Sequence, residues 1–456
     1  ANFNMLTLNE FLQQNHIYKQ RKYKGDANMS IRVKKELYVK APDKQTAKCM
    51  SQFYVNGTGL RRVEHQKLQR ESDWSNAMFE RYSDDNGRTW GEWKDVYSNN
   101  CEIKANDEIN IHYGNETYNP LYGHFVSIGM RRIFFEGHEK AYKRYWGNGE
   151  DSFVDHSLLV IRKDGKEQRA INLIKYEDGA DYDDNNWRNP EYINNNRAYF
   201  GYGVNVLENG EIIFAIAPNI KSCCRILGAD INEVFPSCPE IMCGMIVVRG
   251  KFNEALGNYE LSFSRPIIIS DLKSSRGVCE PDVIMLPSGR ILAVFRGSNV
   301  ESKNWKTRIE KGTPTHKWYC YSDNGGKTFT EPVPWHFDDQ EVFYSAATIC
   351  AFVKSIKNQK VYWIGNISNY TSYGNYPRHP LIIAEVNERG LLVKDTLTTI
   401  DKREEADSDK VQLSNFSILQ DRETGLIEVY LNKIGQHEGF NWWADSYRYF
   451  IDVSQA

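Results

Sequence analysis

Short runs of apolar residues, separated by turn residues, recur along the chain. The clearest runs lie at 201–216, where two strand-like halves flank an Asn-Gly turn, and at 280–296, where they flank Pro-Ser-Gly. Turns of this kind join adjacent antiparallel strands. Weaker copies lie at 122–136, 345–365 and 414–433. The pattern predicts an all-β protein built from repeated hairpins.

The spacing of these hairpins predicts a β-propeller. Most neighbouring copies lie about 65 to 80 residues apart, beyond the ~40–50 of common propeller repeats, so long loops are expected. Division of the 456 residues by this spacing favours seven blades, with a six-bladed propeller as the alternative. We expect one domain over residues 1–456, closed by a strand at 447–453, and short helices at 6–15 and 151–159.

Two turn motifs of one type accompany the hairpins. Ser83-Asp-Asp-Asn-Gly-Arg-Thr-Trp90 fits the Asp-box pattern Ser-x-Asp-x-Gly-x-Thr-Trp at every fixed position. Ser322-Asp-Asn-Gly-Gly-Lys-Thr-Phe329 departs from it at the Asp and Trp positions only. The Ser and Asp oxygens bind turn amides, and the aromatic residue anchors the turn. Both motifs resemble the boxes of sialidase-type propellers, which join the third and fourth strands of a blade and are structural.

The composition excludes several classes of protein. With 41% hydrophobic residues the chain can bury a core, which excludes an intrinsically disordered protein. Basic and acidic residues nearly balance, at 57 and 60, which argues against a nucleic-acid binder. No window approaches the roughly 18–20 apolar residues that a membrane helix needs. The 27 Tyr, 21 Phe and 11 Trp suit strands and surfaces that stack on sugars.

Nine cysteines include a cluster of five, namely Cys223, Cys224, Cys238, Cys243 and Cys279. An odd total excludes a complete set of intrachain disulfides. The cluster is compatible with a structural zinc held by thiolates, with one or two disulfides, or with free buried thiols. The short Cys-x-x-Cys spacing of many zinc sites is missing, so spacing does not choose among the three.

Alignment of the hairpins predicts which polar side chains face the mouth of the propeller. His124 and Tyr202 align at the starts of first strands, which line the channel. The ends of second strands add His138, Asn219, Lys221 and Arg296. This set suits β-elimination of a uronate glycoside, in which a cation neutralises the carboxylate, a base removes the neighbouring proton and an acid protonates the leaving oxygen. That chemistry needs no cofactor.

The motifs Tyr122-Gly-His-Phe125, Gly137-His138 and Gly201-Tyr-Gly203 resemble the seven-bladed β-propeller ulvan lyases. These secreted bacterial enzymes cleave sulfated rhamnose–uronate polysaccharides and leave unsaturated uronate ends. The resemblance implies that His124, His138 and Tyr202 are catalytic, with the base and the acid not assigned between His124 and Tyr202. It also implies a structural metal at the cysteine cluster. The expected substrate-binding residues are Asn219, Lys221, Arg225, Arg296, His156, Trp187 and Arg188, and His156 is also an alternative to His138.

Two other functions stay open at this point. A sialidase-like glycoside hydrolase would share the Asp boxes, but the sequence lacks the Arg-Ile-Pro motif of sialidases. Hydrolysis requires carboxylates, for which Glu136, Glu280 and Asp282 are the candidates. A non-catalytic carbohydrate-binding propeller would use its aromatic residues alone. We expect a secreted or periplasmic monomer, with its signal peptide removed, whose partner is an anionic polysaccharide rather than nucleic acid or a membrane.

Overall fold

Antiparallel sheets, six in number, make up the part of the chain that the computed structural model describes, residues 31–97 and 101–455. The strand β1 (Arg32–Val39) belongs to the last sheet. Blade 1 contains β2 (Ala47–Tyr54), β3 (Arg62–Gln69), β4 (Ala77–Ser83) and β5 (Lys94–Asp95). Blade 2 contains β6 (Cys101–Lys104), β7 (Asp107–Tyr113), β8 (Thr117–Asn119), β9 (His124–Phe134), β10 (Phe153–Lys163) and β11 (Arg169–Leu173).

The remaining blades follow in chain order. Blade 3 contains β12 (Ala198–Val206), β13 (Ile212–Pro218), β14 (Ile246–Asn253) and β15 (Asn258–Phe263). Blade 4 contains β16 (Cys279–Met285), β17 (Ile291–Arg296), β18 (Lys317–Ser322) and β19 (Val333–Pro334). Blade 5 contains β20 (Ala351–Lys354), β21 (Val361–Asn366), β22 (Leu381–Val386) and β23 (Thr398–Asp401). Blade 6 contains β24 (Phe416–Gln420), β25 (Ile427–Asn432), β26 (Ser446–Asp452) and β1.

Helices occur in the loops between strands. They are α1 (His138–Asn148), α2 (Pro190–Ile193), α3 (Ile220–Leu227) and α4 (Ile231–Val234), with a 3-10 turn at Lys394–Thr396. None of the helices in the described ranges is long and apolar enough to cross a membrane.

The blades surround a central channel of about 940 Å³. Residues on or beside the first strand of every blade line it: Met50, His112, Gly201, Glu280, Ile349 and Phe416. The fold is therefore a β-propeller of six blades, which was the alternative prediction, and the prediction of seven blades is wrong. Long loops at 135–152, 219–245 and 297–316 add residues without adding a blade, because no sheet forms in them.

Three local predictions have different outcomes. The expected helix at 151–159 is wrong, since these residues enter β10, a buried strand. The expected closing strand at 447–453 lies largely in β26, the third strand of blade 6, and β1 pairs with it from Arg32 against Asp452 to Leu37 against Tyr447. The expected helix at 6–15 lies outside the described residues.

The direction of the strands defines two faces. First strands begin, and second strands end, at what we call the upper face; the opposite holds at the lower face. Both Asp boxes lie at the lower face, between β4 and β5 and between β18 and β19. In the first box the Asp85 carboxylate accepts hydrogen bonds from Thr89 N (2.8 Å) and Thr89 Oγ1 (2.6 Å). These bonds lower the pKa of Asp85 to about 2.

Apolar side chains fill most of the junctions between blades. At each such junction one buried cluster contains residues of both blades: Val126 and Phe214, Ile213 and Val283, Leu292 and Trp363, Tyr362 and Val429, and Met50 and Tyr430. The junction of blades 1 and 2 differs, because among the described residues it closes mainly at its two ends. At the lower face Arg162 Nη2 donates to Val55 O (2.9 Å), and at the upper face Trp74 stacks on His138 at 3.5 Å.

Arg62 ties blade 1 to blade 6. Its side chain, at 1% exposure, donates to Asp421 Oδ2 at 2.8 Å and to both oxygens of Glu428 at 3.2 Å. Gln52 Oε1 (3.0 Å) and Asn86 Oδ1 (2.8 Å) accept from the same guanidinium. A buried charge is tolerated only when it is paired and fully hydrogen-bonded, and Arg62 meets both conditions.

We expect Arg62→Met to lower the free energy of unfolding by roughly 3–5 kcal/mol, because Glu428 and Asp421 would stay buried without their cation. Chemical denaturation measures this change. Arg61→Met is the matched control, since the adjacent Arg61 is 48% exposed and faces the exposed Asp84. Its change should stay below about 1 kcal/mol. Equal losses in the two variants would contradict the structural role of Arg62.

Candidate functional site at the upper face

A cavity of about 300 Å³ opens at the upper face between blades 2, 3 and 4. Its charged lining residues are Asp73, Arg132, Asp155, Arg276, Glu280 and Arg296. Aromatic side chains complete the wall: Tyr142, Trp146, Phe153, Tyr199 and Phe200. The cavity shares Asp73, His112, Tyr199, Phe200 and Glu280 with the central channel, so the two spaces are continuous. Concave sites with a few convergent charges are the usual binding sites of propellers.

An ion pair forms one wall of this cavity. Arg132, near the end of β9, lies directly opposite Asp155 on β10. Its Nε and Nη2 atoms donate to the two carboxylate oxygens at 2.5 and 2.7 Å, and Nη1 donates to Tyr142 OH at 3.0 Å. Burial disfavours the charge on Arg132, but the carboxylate of Asp155 raises its pKa overall. Because both carboxylate oxygens and all three guanidinium nitrogens are held by hydrogen bonds, the pair acts as a fixed part of the wall.

Glu280 enters the cavity from a strained backbone. It is the second residue of β16, its φ is 48°, and the strand register shifts between Cys279 and Asp282. A residue other than glycine with a positive φ costs about 1–3 kcal/mol of conformational energy, and such residues are concentrated at functional sites. Glu280 Oε2 lies 2.9 Å from Arg296 Nη1, yet this buried oxygen has no well-aligned hydrogen bond within the described structure.

Three cationic side chains converge on the segment before β20. Arg296 Nη1 and Arg378 Nη2 both donate to Ala347 O, at 3.3 and 3.2 Å. Lys317, fully buried, donates its Nζ protons to Ala346 O at 3.2 Å and to Thr348 O at 2.5 Å.

The pKa values report how closely these cations are packed. Burial first, and then the charge of Arg296, lower the pKa of Arg378 to about 10. Burial also lowers the pKa of Lys317 to about 8, and Arg296 and Arg378 add to the effect. Glu280 offsets part of the positive charge on both. Cations held this close favour a bound anion, because it would relieve their mutual repulsion.

Tyr199 and His112 supply groups that exchange protons. Tyr199 is half-buried near the start of β12, and burial followed by the charge of Glu280 raises its pKa well above the usual value. His112 lines the channel from β7, and desolvation followed by the charge of Arg132 lowers its pKa to about 4, although the residue keeps contact with solvent. Near neutral pH the phenol of Tyr199 is therefore protonated and the imidazole of His112 is uncharged.

The structure does not bring His124 and Tyr202 together. His124 starts β9, a second strand, and so lies at the lower face, where its Nε2 is 2.8 Å from Tyr259 OH. The hairpin predicted at 122–136 is a single strand of 11 residues, and β7 and β8 precede it as the first strand. Tyr202 lies in the middle of β12, beside Phe416, and its buried hydroxyl has no hydrogen-bond partner among the described residues.

Most of the other predicted site residues are paired with protein groups. His138 Nδ1 lies 2.7 Å from Glu108 Oε2, and His156 Nε2 lies 2.7 Å from Tyr192 O. Trp187 Nε1 and Arg188 Nε both donate to Asp107 Oδ2, at 2.8 and 2.6 Å.

Two of the predicted substrate-binding residues line the cavity, namely Asn219 and Arg296. Lys221 instead pairs with Glu240 at 2.5 Å and Arg225 with Glu177 at 2.6 Å, both on the protein surface. Sequence reasoning missed Arg132, Asp155, Tyr199, Arg276, Lys317 and Arg378. Arg132 and Lys317 could have been found from the sequence, because each is a charged residue near one end of an apolar strand. No pattern in the sequence indicates that Arg378 lies close to Arg296.

The five clustered cysteines do not meet at one point. Cys223 is buried on α3, with its Sγ 3.9 Å from Pro218 O. Cys224 and Cys238 pack in an apolar cluster with Ile220, Phe235 and Met242. Cys243 and Cys279 line the cavity. Within residues 31–97 and 101–455, all cysteines are free, and no group of three or more His, Cys, Asp or Glu side chains is arranged to hold a metal. Burial raises the pKa of Cys238 to about 12, as for an unreactive thiol. The structural zinc stays a prediction.

Asp282, a candidate carboxylate for hydrolysis, lies below the cavity. Its Oδ2 accepts from Phe352 N (2.7 Å) and its Oδ1 from Val283 N (2.9 Å), and the residue is 4% exposed. It thus links the first strands of blades 4 and 5. Burial raises its pKa to about 7, although the two amide bonds act in the opposite direction.

This pKa predicts a loss of stability as the pH rises. The folded protein binds the Asp282 proton more tightly than the unfolded chain, so the contribution is complete below about pH 4 and is lost as the pH passes through about 7. Asp282→Asn keeps a carbonyl oxygen but does not titrate. Between pH 5 and 8 we expect the unfolding free energy of the wild type, measured with a denaturant, to fall more steeply than that of the variant; parallel curves would contradict the shift.

No protein-family model matches the chain, and no curated protein matches its sequence. An alpha-L-arabinanase of Penicillium chrysogenum complexed with arabinobiose is 11% identical, with a TM-score of 0.40 over 92% of this chain and 98% of that one. An inulosucrase of Halalkalicoccus jeotgali bound to kestose is 10% identical, with a TM-score of 0.40 over 81% and 94%. A glycoside hydrolase of family 32 from Bifidobacterium adolescentis is 10% identical, with a TM-score of 0.39 over 84% and 61%. Similarity this low identifies neither a family nor a substrate.

Proposed function

We propose that the protein is a carbohydrate-active enzyme whose substrate carries a carboxylate, bound at the upper face by Arg296 and Arg378. The observation that carries this proposal is the convergence of both guanidiniums on Ala347 O. Arginine presents paired N–H groups that match a carboxylate, and hydrogen bonds to a charged group contribute about 1.5–3 kcal/mol each. A carboxylate beside them would relieve their repulsion.

The lining of the cavity supports a sugar as the carrier of that carboxylate. Tyr142, Trp146 and Phe200 offer aromatic faces to the cavity. Trp146, near the end of α1, lies at the rim and is 50% exposed. Aromatic rings stack on the apolar faces of sugar rings, while the surrounding charges and amides bind hydroxyls.

Hydrolysis is the reaction that this geometry favours. Some glycosidases of acidic sugars use a tyrosine nucleophile. Here the Glu280 carboxylate, with its unsatisfied oxygen, would accept the proton of Tyr199 as the phenolic oxygen attacks the anomeric carbon. Asp73, on the rim of the same cavity, would protonate the leaving oxygen as the bond from that oxygen to the anomeric carbon breaks. Asp73 would then take a proton from a water molecule, whose oxygen attacks the anomeric carbon and displaces the Tyr199 oxygen, and Glu280 would return its proton to Tyr199. Arg132 and Asp155 would hold the wall in place.

β-Elimination is the second candidate, and the observation that favours it is the position of His112, which lines both the cavity and the channel. A neutral imidazole can take the proton beside the carboxylate, the arginines can stabilise the anion that forms, and Tyr199 can protonate the departing oxygen. In this form the enzyme would be a lyase of uronate polysaccharides, including sulfated rhamnose–uronate chains such as ulvan.

The reaction class can be tested by product analysis on a sialoside, polygalacturonate and ulvan. Hydrolysis should release new reducing ends without near-ultraviolet absorbance. Elimination should release reducing ends together with that absorbance, because it creates a double bond conjugated to the carboxylate. If neither signal appears with any of the acidic glycans, the enzymatic proposal is overturned and a binding propeller is left.

Within whichever reaction is found, we expect Arg296→Gln and Arg378→Gln each to lower kcat/KM by about 10- to 100-fold, the effect of losing one charged hydrogen bond. Arg290→Gln is the matched control, because Arg290 pairs with Asp323 at the lower face. Steady-state kinetics and thermal melting of the three variants check this. Equal activity in Arg290→Gln and Arg296→Gln, with both folded, would remove Arg296 from the site.

A further inference from the structure

A groove runs from the cavity to the side of the molecule, between blades 1 and 2. It is the lateral part of the central channel, and the contacts Arg162 to Val55 and Trp74 to His138 frame it below and above. On its blade 1 wall, alternate residues of β3 and β4 face the opening: Val63, His65, Lys67, Met78, Glu80 and Tyr82. In the other junctions such a sheet face is covered by the next blade.

Cationic side chains mark a path along this groove away from the cavity. Lys67, His65 and His112 line the same space. Burial is the main cause that lowers the pKa of both imidazoles, and the charge of Lys67 adds to it. Arg169, on the blade 2 side, stacks on Tyr113 with 4.7 Å between its guanidinium and the ring centre. It forms a loose ion pair with Glu116, at 3.8 Å from Nε to Oε1, and so keeps donors for a ligand. The ammonium of Lys67 forms no ion pair with any residue of the described ranges.

We propose that this groove binds the further sugar units of an extended acidic polysaccharide whose reacting unit occupies the cavity. The inference rests on the proposed function and narrows its substrate from any acidic glycoside to a polymer. Three observations support a glycan chain as the occupant: the groove is continuous with the cavity, its cations are placed beyond the reacting unit, and rings such as Tyr82 and Tyr113 line it. Lys67 and Arg169 would bind carboxylates of successive units.

The experiment compares a short and a long acidic probe, digalacturonate and hexagalacturonate, by calorimetric titration. The long probe should bind the wild type at least about 10-fold more tightly, the effect of one added charge-assisted hydrogen bond. Lys67→Gln combined with Arg169→Gln should abolish that difference and leave the affinity for the short probe unchanged. Lys251→Gln, an exposed lysine of β14 on blade 3, is the matched control and should change neither affinity.

Each outcome has a separate meaning. Arg296→Gln should weaken both probes equally, because Arg296 lies in the cavity rather than in the groove. Two results would overturn the proposal that the groove binds further sugar units: equal affinity of the two probes for the wild type, or a difference in affinity that the double substitution does not remove. Either result would leave the proposed function standing. If neither probe binds, the groove proposal is overturned, while the proposed function is decided separately by the product analysis on the sialoside, polygalacturonate and ulvan. Thermal melting of the double variant shows that it is folded.

Discussion

The attachment of blade 1 is the constraint on which the rest of the ring depends. Its junction with blade 2 closes mainly at the two ends, so its position is set by blade 6. There Arg62 reaches Glu428 and Asp421 through a junction in which all three residues are buried. A planar guanidinium with five donors can satisfy several fixed acceptors at once, which a lysine ammonium does less well. The same network thus holds one wall of the side groove in place.

The upper face combines features that oppose stability with features that bind an anion. Glu280 has a strained backbone, and Arg296, Arg378 and Lys317 crowd their charges around one stretch of carbonyl oxygens. Such arrangements persist where the surrounding structure over-determines them. Here β17, whose side chains are almost entirely buried, pairs with both β16 and β18 and supplies that rigidity.

The sequence predicts the fold class correctly, but it does not predict the number of blades or every strand within them. Hairpins at 201–216 and 280–296 are confirmed as β12–β13 and β16–β17, because an Asn-Gly or Pro-Ser-Gly turn between apolar runs has few other solutions. At 122–136 the same reasoning fails, since a long strand with an internal glycine resembles a hairpin. The apolar run at 151–159 is ambiguous between a buried strand and a helix, and periodicity alone does not separate the two.

The candidate site was harder to predict than the fold, for a reason that follows from propeller geometry. A strand end can be assigned to the upper or the lower face only when every earlier strand of its blade has been counted. The sequence analysis did not identify β7 and β8 as the first strand of blade 2. It therefore placed His124 at the upper face, whereas the structure places it at the lower face. The cations that meet at Ala347 come from the end of β17, the start of β18 and the loop before β22. None of them belongs to a motif, and their convergence depends on the course of loops that carry no periodic signal. In such a ring, strand order determines which residues can form a site, and residue type then determines what that site can bind.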